Sequence, residues 1–225
     1  MNRNLSNLEH RLLQSVSAEE TGNHEELFQY QEEAMKQLRG ALSYMKSKYS
    51  GTEIEYILFE PLTKMTDKGI LACTLKGSDE AARVIIRRKE DSYLYTDTLY
   101  GLLVREKYDA ELEKIISAFM PEVRAYTSFY TAAGENVNRD TSVAQLNSHL
   151  PVLSRHTDLA VCCEPHVSEG MIGKLRDGSF YGSYTVCNVG REAMDAGNPF
   201  ENRAEWYGCL TFNVFRTPGE SRGAE

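Results

Sequence analysis

Leu27, Ala34, Leu38, Ala41, Met45 and Tyr49 recur at spacings of three, four and seven residues, with Phe28, Met35 and Leu42 beside them. Only a long helix gathers such a series on one face. Asn23 followed by Glu26 offers a capping-box start, and Ser50-Gly51 a stop. Gly40 interrupts the stripe at a cost of roughly 1 kcal/mol against alanine, which packing must outweigh. The period then changes. In TEIEYILFEPL, Ile54, Tyr56 and Leu58 alternate with Glu53, Glu55 and Ile57 up to Pro61, the pattern of a strand. A helical stripe followed within a few residues by strand alternation directs this chain to helix packed on sheet.

The remaining segments repeat that alternation. Leu5, Leu8 and Leu12 mark a short helix in the N-terminal segment 1–22. GILACTLKG reads as a second strand. EAARVIIRRKE is read as a third, because Val84, Ile85 and Ile86 favour strand and three strands bury a face better than two. In TDTLYGLLVREKYDAELEKIISAFM, Asp97 can cap a helix with its apolar face at Leu99, Leu102, Leu103, Tyr108, Leu112, Ile115, Ile116 and Phe119. A strand over 122–130 follows. The first half therefore reads α-β-β-β-α-β. The polar run 131–141 is the best internal joint, giving sub-domains over 23–134 and 135–216, two units or one shared core. The second contains a helix capped by Ser142 and Gln145, a strand over 158–164, a helix over 168–178 and strands over 179–189 and 204–215. One helical turn is expected within 190–203, and residues 217–225 are expected to form a disordered tail. The fold class is α+β, with antiparallel or mixed sheets and helices on one face.

A long helix ending in Lys48-Tyr49, a set of strands, then YLYTDTLYGLLVREKYDAEL with an aspartate ahead of a helix, then a strand, is an order with a counterpart. Over about residues 25–130 it resembles small α+β modules of uncharacterised bacterial proteins, several of them exported or lipid-anchored. The resemblance implies the fold and a bacterial source, and carries over no catalytic residue. The chain departs from that group in that its N-terminal residues are not expected to act as an export signal.

Charge and composition narrow the function classes. Lysine and arginine number 25 against 33 acidic residues, a net charge of -8, which opposes nucleic-acid binding through a basic face. Arg83, Arg87, Arg88 and Lys89 form the one dense basic run, and Asp79, Glu80, Glu90 and Asp91 flank it, so it reads as a solvated face. No apolar run approaches the 18 or so residues of a membrane span. The N-terminus has no apolar signal region, so the expected location is cytoplasmic. Five cysteines, an odd number lying in apolar strand-like runs, are expected to be reduced core residues.

Three kinds of site are weighed. LAVCCEPHVSEG sets Cys163 three residues before His166, with a helix expected from Ser168. A thiolate needs a neighbouring imidazole or helix end to lower its pKa, so Cys163 as nucleophile and His166 as base is the sharpest enzymatic reading. The same stretch with His149 and His156 supplies metal-binding atoms, but at no recognised spacing, and adjacent strand residues point to opposite faces. No metal residue is therefore assigned, and the set His149, His156, Cys163 and His166 stays an alternative. No phosphate-binding loop or nucleophile elbow occurs, and no cofactor is expected. Tyr93, Tyr95, Tyr181, Tyr184, Trp206 and Tyr207 are candidates for a binding surface, since aromatic area with a polar tip is enriched at interfaces. The reading leans away from an enzyme. It favours an acidic, soluble binding protein with a protein partner or a homo-oligomer, and neither nucleic acid nor membrane.

Overall fold

The computed structural model describes residues 5–14, 24–149, 155–195, 199–200 and 206–216, with the side chains of 24–29 and His149 excepted. The chain divides into two compact units, Met1–Leu102 with Ala132–Arg139, and Leu103–Thr131 with Asp140–Glu225. The class is α+β, as the alternating periods require.

The first unit opens with α1 (Asn7–Leu13). Ser6 caps it, accepting from the Glu9 N–H at 3.2 Å while its own N–H donates to Glu9 Oε2 at 2.7 Å. The long helix is α2 (His24–Lys48). Its expected Asn23 and Glu26 box lies outside the described residues. Strands β1 (Ile54–Glu60), β2 (Gly69–Leu75), β3 (Ala81–Lys89) and β4 (Ser92–Asp97) form an antiparallel meander in sequence order. EAARVIIRRKE is thus a strand, and the expected three strands are corrected to four. The added strand is β4, whose YLYTD segment precedes the helix that Asp97 caps. In the fold it alternates Tyr93 and Tyr95 on the α2 side with Leu94 and Thr96 on the other, and Glu90-Asp91 close a tight hairpin in which Lys89 faces Ser92.

The core of this unit lies between α2 and one sheet face. Leu38, Ala41 and Met45 are fully buried there with Phe59, Leu71, Cys73, Val84 and Ile86. Gly40 is placed where helix and strand approach closely: a Cβ at that position would stand 1.9 Å from the Tyr95 hydroxyl oxygen. Helix α3 (Leu99–Ile116) begins where expected, with Asp97 Oδ1 accepting from the Tyr100 N–H at 3.3 Å. Ala133 returns beside β4, exchanging backbone hydrogen bonds with Asp97 at 2.8 and 2.9 Å.

The second unit holds β5 (Arg124–Phe129), α4 (Val143–His149), β6 (Arg155–Val161), α5 (Glu169–Asp177), β7 (Gly182–Asn188), α6 (Gly190–Asp195) and β8 (Tyr207–Val214). Its sheet order is β5-β6-β7-β8, and it is mixed: β6 and β7 are parallel, joined through α5, and the other pairs are antiparallel. The Ser142 and Gln145 box forms at α4, and Ser168 caps α5. Tyr108, Leu112 and Ile116 of α3 and Met171 and Leu175 of α5 are buried, as are Leu159, Tyr184 and Val186 of the sheet. Tyr108 meets Phe129 edge-on at 5.3 Å and Phe180 at 5.1 Å.

Two expectations for the cysteines are overturned. The strand expected to carry Cys162 and Cys163 ends at Val161, and both fall on the bend that follows, where Pro165 supplies no donor to prolong a ladder. Cys187 and Cys209 are not reduced: they form a disulfide between β7 and β8. Cys73, Cys162 and Cys163 are free thiols. Among the described residues, no helix is long and apolar enough to cross a membrane. The expected tail lies outside them.

Candidate functional site

Cys163 and His166 share a loop without joining. Cys163 is half-buried, and the exposed His166 donates from Nδ1 to the Glu164 carbonyl at 3.3 Å. The neighbouring thiol is the more constrained one. Cys162 donates to the Gly190 carbonyl at 3.5 Å. Burial holds its pKa above the ordinary value, while Arg191 pulls the other way.

The structure also scatters the alternative metal set. His156 lies near the start of β6, seven residues from Cys163, roughly 20 Å along extended chain. Its Nε2 pairs with Asp158 Oδ1 at 3.2 Å, two residues along the same sheet face. The His149 side chain lies outside the described residues. Among those described, no group of three or more His, Cys, Asp or Glu side chains could hold a metal ion.

The six aromatics take several places. Tyr181 and Tyr184 are buried, and the Tyr184 hydroxyl donates to the Phe180 carbonyl at 2.5 Å. Burial pushes that phenol well above its ordinary pKa. Trp206 is half-buried, donates to the Pro199 carbonyl at 3.0 Å and stands edge-on to Phe200, which in turn lies against Tyr126. Tyr93 donates to Glu33 and accepts from Gln37 beneath α2, and burial raises its pKa to about 12. Tyr95 stacks on Tyr44 at 5.9 Å. Tyr207 is exposed, at 56%.

Sequence reasoning missed two features. The first is a buried polar network. Lys48 Nζ donates to Asp97 Oδ2 at 2.6 Å and to the Gly134 and Ala133 carbonyls at 2.7 and 3.3 Å. Tyr44 and Tyr49 donate to the two Asp97 oxygens at 2.6 and 2.7 Å. The Lys48 and Asp97 side chains are 2% and 0% exposed. Desolvation lowers the Lys48 pKa against the pull of Asp97, and the same burial raises both phenols. A polar hollow of 230 Å³ lined by Ser47, Lys48, Glu135 and Asn138 adjoins it. Each of the three ammonium protons has an acceptor within this set, so the network acts as a clamp holding 133–134 to the unit.

The second is the sheet face of the first unit turned away from α2. Register sets Leu58 level with Ala72 and Arg83, Ile70 with Ile85 and Thr96, and Arg87 with Leu94. Leu58 is 43% and Leu94 46% exposed, while Ile70, Ala72 and Ile85 are half-buried. An apolar strip on an open face, crossed by two arginines, is the kind of patch that protein surfaces keep for contacts. The signal was the alternation itself: EYILFE, GILACT and ARVIIR are apolar at more positions than a one-sided strand requires.

No protein-family model matches this chain, and the searches of curated proteins and of solved structures return no match either. The residues themselves therefore carry the functional argument.

Proposed function

We propose that this chain is a non-enzymatic protein-binding protein, and that the open face of its first sheet is the binding surface. One observation carries the reading: Leu58 and Leu94 stand exposed on a face continuous with Ile70, Ala72 and Ile85 and flanked by Arg83 and Arg87. Charge is divided across this strip, with Arg83 and Arg87 on β3 and Glu60 beside Leu58 on β1, and the β3 side selects the occupant. An extended or helical segment of another protein that combines apolar with acidic side chains fits both properties. The surface differs from the tyrosine-rich one expected from sequence.

The cytoplasmic location stands as a proposal with a condition attached. Reducing thiols keep stable disulfides rare in the cytosol, so in that compartment the Cys187–Cys209 bridge would have to be one that turns over.

The experiment is a photo-crosslinker at position 94, followed by titration of the crosslinked segment as a synthetic peptide. The expected result is a segment rich in Asp or Glu and in Leu or Ile. Its affinity should fall about tenfold or more in Leu58→Asp and in Arg87→Glu, a loss of about 1.4 kcal/mol. Unchanged affinity in both variants overturns the reading. A dimer in sedimentation that Leu94→Asp dissociates also overturns it, assigning the face to a second copy.

A further inference from the structure

The two edges of the second sheet are finished differently. Strand order β5-β6-β7-β8 leaves β5 and β8 each paired on one side only. Helix α3 closes the outer side of β5. Glu113 Oε1 accepts from the Ala125 N–H at 2.8 Å, Asp109 Oδ2 accepts from the Thr127 N–H at 3.2 Å, and Arg105 Nε donates to the Thr127 carbonyl at 2.9 Å. Backbone groups two residues apart on a strand point to the same side, so these bonds fill successive places along one edge. Among the described residues, no hydrogen bond closes the outer side of β8. Its residues from Tyr207 to Thr211 are exposed, and so is Asn213. An unpaired edge is a template for a further strand, and proteins ordinarily protect it with charge, proline or a covering element. From Trp206 to Phe215 the chain has neither a charged residue nor a proline, although 26% of all its residues are charged. The Cys187–Cys209 disulfide and the stacking of Phe212 on Tyr184 at 5.1 Å hold β8 to β7, so the edge is presented as a fixed strand. The core beside it is unfinished: Leu210, level with the fully buried Val186, is 43% exposed.

We propose that the outer side of β8 is a pairing edge and that its occupant is β8 of a second copy of this chain, antiparallel about a two-fold axis. An axis normal to the sheet joins each face of one copy to the same face of the other. Directly opposed residues then share a face, so the pairing centres on a residue and not between two. Centred on Thr211, it sets Thr211 against itself and Leu210 against Phe212 of the second copy. Leu210 and Phe212 are level with the buried Val186 and Tyr184, so the two cores meet across the new pair and the open side of Leu210 is covered. Two observations select a second copy over an extended segment of another protein. A lone segment adds a strand but brings no core to continue the face at Leu210, whereas a second copy brings Phe212 already seated on Tyr184. Like charges directly opposed destabilise a strand pair, and β8 opposes none, although each copy carries a net charge of -8. The inference is independent of the proposed binding face, which belongs to the first sheet.

The test is sedimentation velocity of the native, full-length chain over a wide range of concentration, with hydrogen exchange on the same samples. The expected result is a monomer–dimer equilibrium in which amides within 209–213 gain protection as the dimer forms. Thr211→Lys alters an exposed side chain and sets a cation against itself across the axis, so it should raise the dimer Kd about tenfold or more. Leu94→Asp should leave the dimer intact. Hydrogen exchange of the wild-type chain decides the matter even if Thr211→Lys fails to fold. A chain that stays monomeric at every concentration overturns the proposal. So does a dimer that forms without added protection in β8, or one that Thr211→Lys leaves unchanged. A dimer that Leu94→Asp dissociates assigns the contact to the first sheet and overturns it too. Peptide binding at position 94 is read separately: its loss with the dimer intact counts against the proposed binding face alone, and loss of the dimer with peptide binding intact is the outcome expected of Thr211→Lys.

Discussion

The two units bury charge in opposite ways. In the first, Lys48 and Asp97 are buried against each other, and Tyr44, Tyr49 and two carbonyls complete both groups. In the second, Arg155 and Asp109 lean on neutral partners. Arg155, 2% exposed, donates to the Tyr181 carbonyl at 2.6 Å, the Asn147 side chain at 2.7 Å and the Ser179 carbonyl at 3.3 Å, with the Tyr108 ring 5.2 Å away. Asp109 accepts from the Thr127 hydroxyl at 2.5 Å and its N–H at 3.2 Å. Burial outweighs those hydrogen bonds and the nearby Arg105, and raises the Asp109 pKa to about 6. A directly paired charge fixes a connection, whereas one held by neutral groups stays sensitive to pH and to donor geometry.

Breaking the pair should give the largest effect. Lys48→Met leaves Asp97 buried without its cation and should cost about 3–5 kcal/mol. Hydrogen exchange should accelerate first at the Ala133 amide, whose bond to Asp97 the clamp holds in place. A loss below 1 kcal/mol in urea unfolding would remove the contrast between the units. Arg155→Lys keeps the charge but loses the planar fork, so one or more of its three acceptors goes unserved. The expected cost is about 1–3 kcal/mol, read from the same unfolding curves.

Asp109 sharpens the comparison through pH. Its native pKa is raised, so between about 4 and 6 the native state binds more protons than the unfolded chain, whose aspartates titrate near 3.9. The stability contribution of this residue therefore falls as pH rises through that window and stays low above it, by up to about 3 kcal/mol. Urea midpoints of Asp109→Asn against wild type should converge at pH 4 and favour the variant at pH 7. Parallel curves would show that the carboxyl titrates alike in both states. Ser168→Ala, which removes the Oγ acceptor of the Met171 N–H at α5, should cost about 1 kcal/mol at either pH. Leu94→Asp should change stability least, within about 0.5 kcal/mol, because its side chain stands on an open face.

Much of this architecture was legible in the sequence because it rests on local periodicity. The stripe from Ala34 to Tyr49 faces a core in the fold, and Ser142 with Gln145, Ser168, Gly178 and Asp97 cap where their neighbours in sequence require. The strand in ARVIIRR followed from its β-branched residues together with the need of a sheet for a third strand, against an alanine pair and flanking charges that suit a helix. β4 was missed because Tyr93 and Tyr95 take their strand role from α2 lying over them. The candidate sites were less legible. Cys163 and His166 are close in sequence, yet the chain bends at 162–163 and the His166 ring turns to the Glu164 carbonyl.

The sequence by itself determined the alternation of helix and strand and the caps, which depend on residues near one another in the chain, and the acidic balance, which is a sum over composition. The tertiary structure alone decided which distant residues meet. Lys48 finds Asp97 across 49 positions, and Ala133 returns to β4 across 36. Cys187 meets Cys209 because the β7–β8 register, with Val186 across from Leu210, sets them opposite. Strand order and register are long-range choices, fixed by which buried faces fill together, and no spacing within one segment records them.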